Sequence, residues 1–433
     1  MENGKNEEKT QRQKLPYKFN RLETTKLIGP WVDDHWDGLR VAKKEGKKVA
    51  WSMGPLFPIA YAMDIPCHFH AGYAAYCGGR KGVPSLLEAA EAEGHILDAC
   101  SYHRLHMGVI SAIENQLPIR EEVMLPKPDI VLSARLCTEH THQSDAIYRH
   151  LKVPNIAIDI LPAHNESDFK MLEKYTKRQL NEVAIPFLEN FCGKKFNYDR
   201  LSQLLAVLKE AALLRNECWK FFEQVPSPWT LWDWGISIAP VFYLMGQPKS
   251  VDYFRQLKAE LQQRTEKGIG GIHPEERFRV YWDGWVPWSF LGPISRKLLT
   301  FGANPIVGKY PWEFFPHPEE MDPSNPIDTI VKQWYTYMMS VKSSPEFALP
   351  FIEDCVEKYH LDGLIMYASR TCRLWNLGEQ DIIDEIERKY GIPGVILEAD
   401  MIDDKFFSEA QIDTRLQAFF EMMEARKRPR SRR

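Results

Sequence analysis

Seven short apolar runs, arranged in two groups, constrain this chain more than any other feature. "KKVAWSMG", "KPDIVLSARLC" and "VPNIAIDIL" are bounded by Pro, Gly or charge, and each is followed by a segment with apolar residues at helical spacing. Runs this apolar suit strands covered on both faces, so they read as parallel strands in βα units. A long charged stretch follows, typified by "DRLSQLLAVLKEAALLRNECWKFFEQV", in which apolar residues recur every three or four positions. The alternation then returns in "RFRVYWDGWVP", "ANPIVG", "LDGLIMYAS" and "IPGVILEAD", and ends in the amphipathic stretch "QIDTRLQAFFEMMEARK".

The expected fold class is therefore α/β, with two similar open parallel-sheet domains, Rossmann- or flavodoxin-like, and helical elaboration between them. The expected organisation is a partly helical N-terminal extension (1–44), a first α/β domain (45–165), a helical middle (166–270), a second α/β domain (271–425) and a basic, disordered tail (426–433). A chain of 433 residues exceeds what one hydrophobic core usually serves. In open sheets of this kind ligands gather beyond the carboxyl ends of the strands, so residues just after a strand carry the functional interest.

Charge removes several classes. Lys plus Arg number 55 and Asp plus Glu 59, a net charge of −4, which argues against a nucleic-acid or anionic-membrane binder held by bulk charge. The N-terminal "MENGKNEEKTQRQK" lacks an apolar core and no later stretch has the roughly 20 apolar residues a spanning helix needs. The expectation is a cytoplasmic protein with no membrane or nucleic-acid partner, whose 8 cysteines are reduced.

Those cysteines are unevenly placed. Between 64 and 108 the chain carries Cys67, Cys77 and Cys100 together with His68, His70, His95, His103 and His106. With His140 and His142, 7 of the 13 histidines fall between 68 and 142, a grouping suited to handling protons. Cys137 follows "DIVLSAR" and Cys372 follows "GLIMYASRT", each just past an expected strand. Cys192, Cys218 and Cys355 lie among apolar residues of helical stretches and read as small buried hydrophobes. Cys67, beside Pro66, His68 and His70, has a polar, turn-like setting. No CxxC pair occurs, so the ligand spacings of zinc ribbons and bacterial ferredoxins are absent.

Taken in order, "IPCHFHAGYAAYCGGR", "EAEGHILDACSYHRLHMG", "KPDIVLSARLC", "RFRVYWDGWVPW", "LDGLIMYASRTC" and "GIPGVILEADMIDD" resemble the benzoyl-CoA reductase / 2-hydroxyacyl-CoA dehydratase family from about residue 45 to 425. The resemblance implies one [4Fe–4S] cluster held between two α/β domains by three cysteines, mapped to Cys67, Cys100 and Cys372, with Cys137 as second choice. It implies an acyl-CoA substrate, receipt of a low-potential electron, and three partners: a homologous cluster-binding subunit, ATP-hydrolysing activator subunits with their own [4Fe–4S] cluster, and ferredoxin as electron donor. Three thiolates rather than four would leave one iron open to substrate or water. "GIGG" (268–271) and "YCGGRKG" (76–82) lack the strand, lysine and helix of a phosphate loop, which places ATP and Mg on a partner subunit.

Within that family the expected activity is ATP-dependent benzoyl-CoA reduction, an oxidoreductase chemistry that dearomatises the ring. The alternatives are a radical 2-hydroxyacyl-CoA dehydratase, a lyase, and a non-catalytic iron–sulfur or zinc relay. The reductase expectation rests on Trp282, Trp285 and Trp288 as walls of an aromatic slot, on His68, His70, His103 and His106 as proton donors, and on the length and "RFRVYWDGWVPW" segment shared with the larger reductase subunit. Arg80 and Lys81, beside Gly78, Gly79 and Gly82, are candidate contacts for CoA phosphates.

Overall fold

A computed structural model describes residues 15–161, 166–310, 316–341 and 345–427. Residues 428–433 of the expected basic tail and the first 14 residues of the N-terminal extension lie outside the described residues.

The chain is α/β, with two four-stranded parallel sheets. A two-residue strand β1 (Lys18–Phe19) precedes the first sheet, which contains β2 (Ala50–Met53), β3 (Cys67–Phe69), β4 (Ile130–Arg135) and β5 (Asn155–Asp159) in the order β3-β2-β4-β5. After the helical stretch come β6 (Ile272–His273), then β7 (Phe278–Asp283), β8 (Ala303–Val307), β9 (Gly363–Ser369) and β10 (Gly394–Ala399), the last four ordered β8-β7-β9-β10. Counting strands within each sheet, both orders are 2-1-3-4, the flavodoxin-like winding. β1 pairs antiparallel with β6, so the N-terminal segment is stitched to the start of the second sheet.

The central strands β2 and β7 are buried along their whole length, as helices on both faces require. At the end of each, a glycine in the left-handed region turns the chain: Gly54 at φ 121° and Gly284 at φ 88°. A side chain at Gly54 would meet Ala134 of β4, and one at Gly284 the Tyr367 backbone of β9. Both turns thus press on the third strand of their sheet at the point where strand order reverses. Any residue with a Cβ would be strained in backbone and crowded in space.

Between the sheets the chain forms the helices Glu166–Gln179, Ile185–Cys192, Tyr198–Trp219 and Pro248–Glu266, with shorter helical pieces among them. Tyr198–Trp219 starts from Asn197, whose side chain accepts the Arg200 N–H, and it buries Leu201, Leu204, Leu205 and Leu208 at the expected spacing. No described helix is long and apolar enough to cross a membrane.

The two sheets meet at their carboxyl ends. Arg104, in the helix Ser101–Asn115, is fully buried; it is ion-paired to the equally buried Asp403 beyond β10, and to Glu91 at 3.0 Å. Beside it the Ser101 N–H donates to Thr371 Oγ1 at 3.1 Å, and Thr371 in turn donates to Asp400 at 2.6 Å. Removing one partner of such a pair leaves the other charged and dry. Arg104→Ala is therefore expected to cost about 3–5 kcal/mol of stability, read as a lowered urea midpoint, while exposed Arg255→Ala should change it little.

Candidate functional site

A cavity of about 240 Å³ lies between the carboxyl ends of the two sheets, roofed by the helical segment. Cys100, Cys137 and Cys372 all line it. Each sits where a backbone turn starts a helix or loop. Cys100 precedes the helix Ser101–Asn115, Cys137 precedes the helix Thr138–Leu151, and Cys372 follows β9. Cys137 and Cys372 occupy equivalent places, just past the third strand of each sheet.

Local donors are turned toward all three sulfurs. The His103 N–H faces Cys100, those of His140 and Glu139 face Cys137, and that of Trp375 faces Cys372. The Trp285 indole N–H also donates to the Cys372 sulfur at 3.3 Å. Burial pushes all three thiols up, Cys372 to about 12, and the closeness of the Cys372 and Cys137 sulfurs raises Cys100 further. N–H groups aimed at sulfur stabilise a thiolate rather than a thiol, as at other helix N-termini, so these donors are matched to the metal-bound form of the cysteines. Among the described residues no three His, Cys, Asp or Glu side chains are close enough to hold a single metal ion. A polynuclear cluster binds each thiolate to a different iron and so accepts wider spacing.

Cys67 is elsewhere. It opens β3 level with Ala50 of β2, which is itself level with Ile130 of β4. From that level to Arg135 is five residues, roughly 17 Å at strand rise, so Cys67 lies toward the opposite end of the sheet from Cys137. Its Sγ donates to the His68 carbonyl at 3.3 Å, the contact of a protonated thiol, and burial alone pushes its titration up. The expected grouping of Cys67 with Cys100 and Cys372 is therefore replaced by one of Cys100, Cys137 and Cys372. The family resemblance implies Cys67 and Cys100 as a pair, but the strand direction separates them.

The histidines divide in the same way. His70, the first residue after β3, and His103 line the cavity, as does His140, to which the sequence assigns no role of its own. His68 and His106 do not line it; they form a buried pair, Nε2 to Nε2 at 2.9 Å, packed among Trp36, Trp51 and Tyr73. Burial and neighbouring imidazoles hold His68 and His70 well below their ordinary titration, and burial brings His103 and His106 down to about 4. These rings are neutral at pH 7. The Tyr102 hydroxyl, also on the cavity, is buried without a hydrogen-bond partner.

Of the three expected indoles only Trp285 lines the cavity. Trp282 points into the core around the second sheet, stacked on Tyr367 at 5.2 Å and edge-on to Trp232. Trp288 packs beside Gly78. A three-residue alternation cannot keep all members on one face once the chain leaves β7 at Gly284. Trp334, from the helix Pro326–Val341, lines the cavity instead, a residue with no local motif to reveal it. Arg80 and Lys81 lie on an exposed turn, Arg80 paired with Asp33, and neither faces the cavity.

Behind Trp285 and Trp375 is a buried cluster of charge. Asp283 Oδ1 accepts the Trp375 indole N–H at 2.8 Å, Lys309 Nζ is 4.0 Å from Asp283, and Glu379 lies close to both. Burial, then the Asp283 charge, push Glu379 up from 4.5 to about 8 against the pull of Lys309. The folded chain thus keeps a proton there that the unfolded chain releases, so stability should fall as pH rises from about 4.5 to about 8. Glu379→Gln should flatten that decline, gaining on the parent at pH 9 relative to pH 5 in thermal unfolding.

Comparison with known proteins adds an independent finding. The sequence pattern of the family described as "2-hydroxyglutaryl-CoA dehydratase, D-component" matches residues 58–423. The chain is 28% identical to the (R)-phenyllactyl-CoA dehydratase alpha subunit of Clostridium sporogenes over 89% of this chain and 92% of that one. It is 27% identical to the (R)-2-hydroxyisocaproyl-CoA dehydratase alpha subunit of Clostridioides difficile, covering 94% and 98%. It is 25% identical to one of the benzoyl-CoA reductase subunits of Thauera aromatica, covering 92% and 93%.

Proposed function

The chain belongs to the 2-hydroxyglutaryl-CoA dehydratase D-component family, an enzyme family of acyl-CoA dehydratases and reductases, and from that premise we propose that it is the cluster-bearing subunit of a complex that acts on an acyl-CoA with an apolar acyl group. The observation that carries this reading is the convergence of Cys100, Cys137 and Cys372, each faced by N–H donors, on one largely apolar cavity. These three thiolates would hold a [4Fe–4S] cluster, which supplies a single low-potential electron when bound. The chain's own residues do the rest. The seam of Arg104, Asp403, Ser101 and Thr371 joins the two sheets beside the cavity and would limit the water that reaches a radical acyl group. Trp285 donates to the Cys372 sulfur and forms part of the wall.

The apolar lining of the cavity includes Phe57, Phe69, Leu205, Leu208, Phe242 and Met245. Among the described lining residues Arg373 is the one Lys or Arg, and it is exposed, while Asp98 and Glu139 are acidic. A free carboxylate on the acyl chain would enter without a buried cation among the described lining residues to pair with it, a costly desolvation. The favoured chemistry is radical dehydration of a 2-hydroxyacyl-CoA. It is supported by the relatives named as dehydratase subunits and by the unpaired acceptor on His70 considered below. Benzoyl-CoA reduction is the second reading, favoured by the indoles of Trp285 and Trp334 and the three cavity histidines. In either case the partners are a homologous second subunit, an ATP-hydrolysing activator with its own cluster, and ferredoxin, in the cytoplasm.

Two measurements test this. After anaerobic reconstitution, Cys100→Ala, Cys137→Ala and Cys372→Ala should each lose bound iron and sulfide, whereas Cys67→Ala and Cys192→Ala should keep about four irons; retention in all three of the first set would refute the site. Offered side by side with activator, ATP and a strong reductant, (R)-2-hydroxyisocaproyl-CoA should turn over, with 2-hydroxyglutaryl-CoA at least about 100-fold slower, the cost of one unpaired buried charge at roughly 3 kcal/mol. Turnover of benzoyl-CoA alone would select the second reading.

A further inference from the structure

The His70–His140 pair fixes a tautomer, and the consequence reaches the substrate. β3 and β4 flank β2, and beyond the end of β2 the chain turns at Gly54. His70, just past β3, and His140, in the first turn after β4, meet there with Nε2 atoms 3.0 Å apart and rings at 81°. His140 Nδ1 is 3.0 Å from the Ala134 carbonyl at the end of β4.

A carbonyl only accepts, so His140 Nδ1 carries a proton. Two imidazoles whose Nε2 atoms lie 3.0 Å apart share a single proton at that contact, and a neutral ring has one proton to place. His140 Nε2 is then a bare lone pair, and the contact to His70 requires the His70 proton on Nε2. That leaves His70 Nδ1 as a lone pair, buried and without a protein partner, on a residue that lines the cavity. A buried acceptor with nothing to accept from costs the fold its desolvation, a cost that a donor on a bound molecule would relieve.

We propose that His140 is a positioning residue that locks His70 in the Nε2–H tautomer, and that His70 Nδ1 accepts the hydrogen bond of the 2-hydroxyl group of the acyl-CoA substrate. This rests on the acyl-CoA reading above and goes further by naming the atom that distinguishes a hydroxylated acyl group from its deoxy counterpart. Sites built to pair a substrate hydroxyl reject the analogue that lacks it, because their own polar group is then stranded. The buried His68–His106 pair repeats the arrangement, with His106 Nδ1 2.8 Å from the Tyr102 carbonyl. It lies off the cavity and serves as the internal control.

The test uses the full chain, purified anaerobically with any co-purifying subunits. Binding of 2-hydroxyisocaproyl-CoA and isocaproyl-CoA is measured by calorimetry for the parent and for His70→Phe, His140→Phe, His140→Gln and His68→Phe. The parent should prefer the hydroxylated thioester by at least about 10-fold, the scale of one buried hydrogen bond. His70→Phe should abolish the preference and His140→Phe should weaken it. His140→Gln, whose amide oxygen can still accept from His70 Nε2, should restore it, and His68→Phe should leave it unchanged. Nitrogen NMR of histidine-labelled protein should find His70 protonated on Nε2, and on Nδ1 in a fraction of His140→Phe. Equal binding of both thioesters by the parent, an intact preference in His70→Phe, or His70 protonated on Nδ1 in the parent would overturn the assignment. Binding of neither thioester would overturn the acyl-CoA reading and this role together.

Discussion

The seam that joins the carboxyl ends of the two sheets is the constraint on which the site depends. Arg104 and Asp403 are separated by 299 positions in the chain, yet both are fully buried and paired. A pair of this kind contributes little net stability against a hydrophobic alternative, but it is intolerant of being opened, because either half alone is a dry charge. That intolerance holds Cys100, beside the first sheet, against the loop that carries Cys372. The hydrogen bond from Ser101 to Thr371 crosses the same seam next to both cysteines.

The repeated winding explains why the thiols can converge at all. Each sheet places a left-handed glycine after its first strand and a cysteine just beyond its third. When two such sheets face each other end to end, the cysteines of the two switch points meet across the gap. Cys100 joins them because its helix begins at that edge of the first sheet. Cys67 shares the residue type but stands at the amino end of its strand, where its sulfur donates to a carbonyl instead of receiving N–H groups. The direction of hydrogen bonding at sulfur thus sets Cys67 apart from the three cysteines proposed above as ligands.

The cavity has an apolar lining of Phe, Leu and Met side chains and also carries histidine lone pairs. The neutral histidines there are neutral because burial removes water from the charged form, and their tautomers follow from the backbone carbonyls they meet. Among the described lining residues neutral acceptors and hydroxyls stand beside Asp98 and Glu139, while the one Lys or Arg, Arg373, is exposed; under the function proposed above, such a lining suits a polar but uncharged group on an otherwise apolar acyl chain. The buried Asp283, Lys309 and Glu379 cluster lies behind that wall and ties the second sheet's switch point to the pH of the medium.

Much of the architecture was legible in the residues. The seven apolar runs are strands: the central β2 and β7 are buried on both faces and must be apolar throughout, while β5 and β10 are only partly buried, and that composition is local; the parallel α/β class follows from their alternation with helices. The family was legible through ordered motifs. Cys137 and Cys372 stand out as lying next to expected strands, and Cys100 through its place in the densest group of cysteines and histidines. Which end of a strand a residue occupies is also local in principle, and the position of Cys67 as the first residue of "CHF" is the signal that sets it apart. What only the tertiary structure decided is which side chains share the cavity: Trp285 but neither Trp282 nor Trp288, His70 with His140 while His68 turns to His106, and Trp334 from a helix with no signal of its own. Periodicity assigns a residue to a face of its own element, whereas the site is assembled from the ends of elements far apart in the chain, and their meeting is set by how two sheets pack.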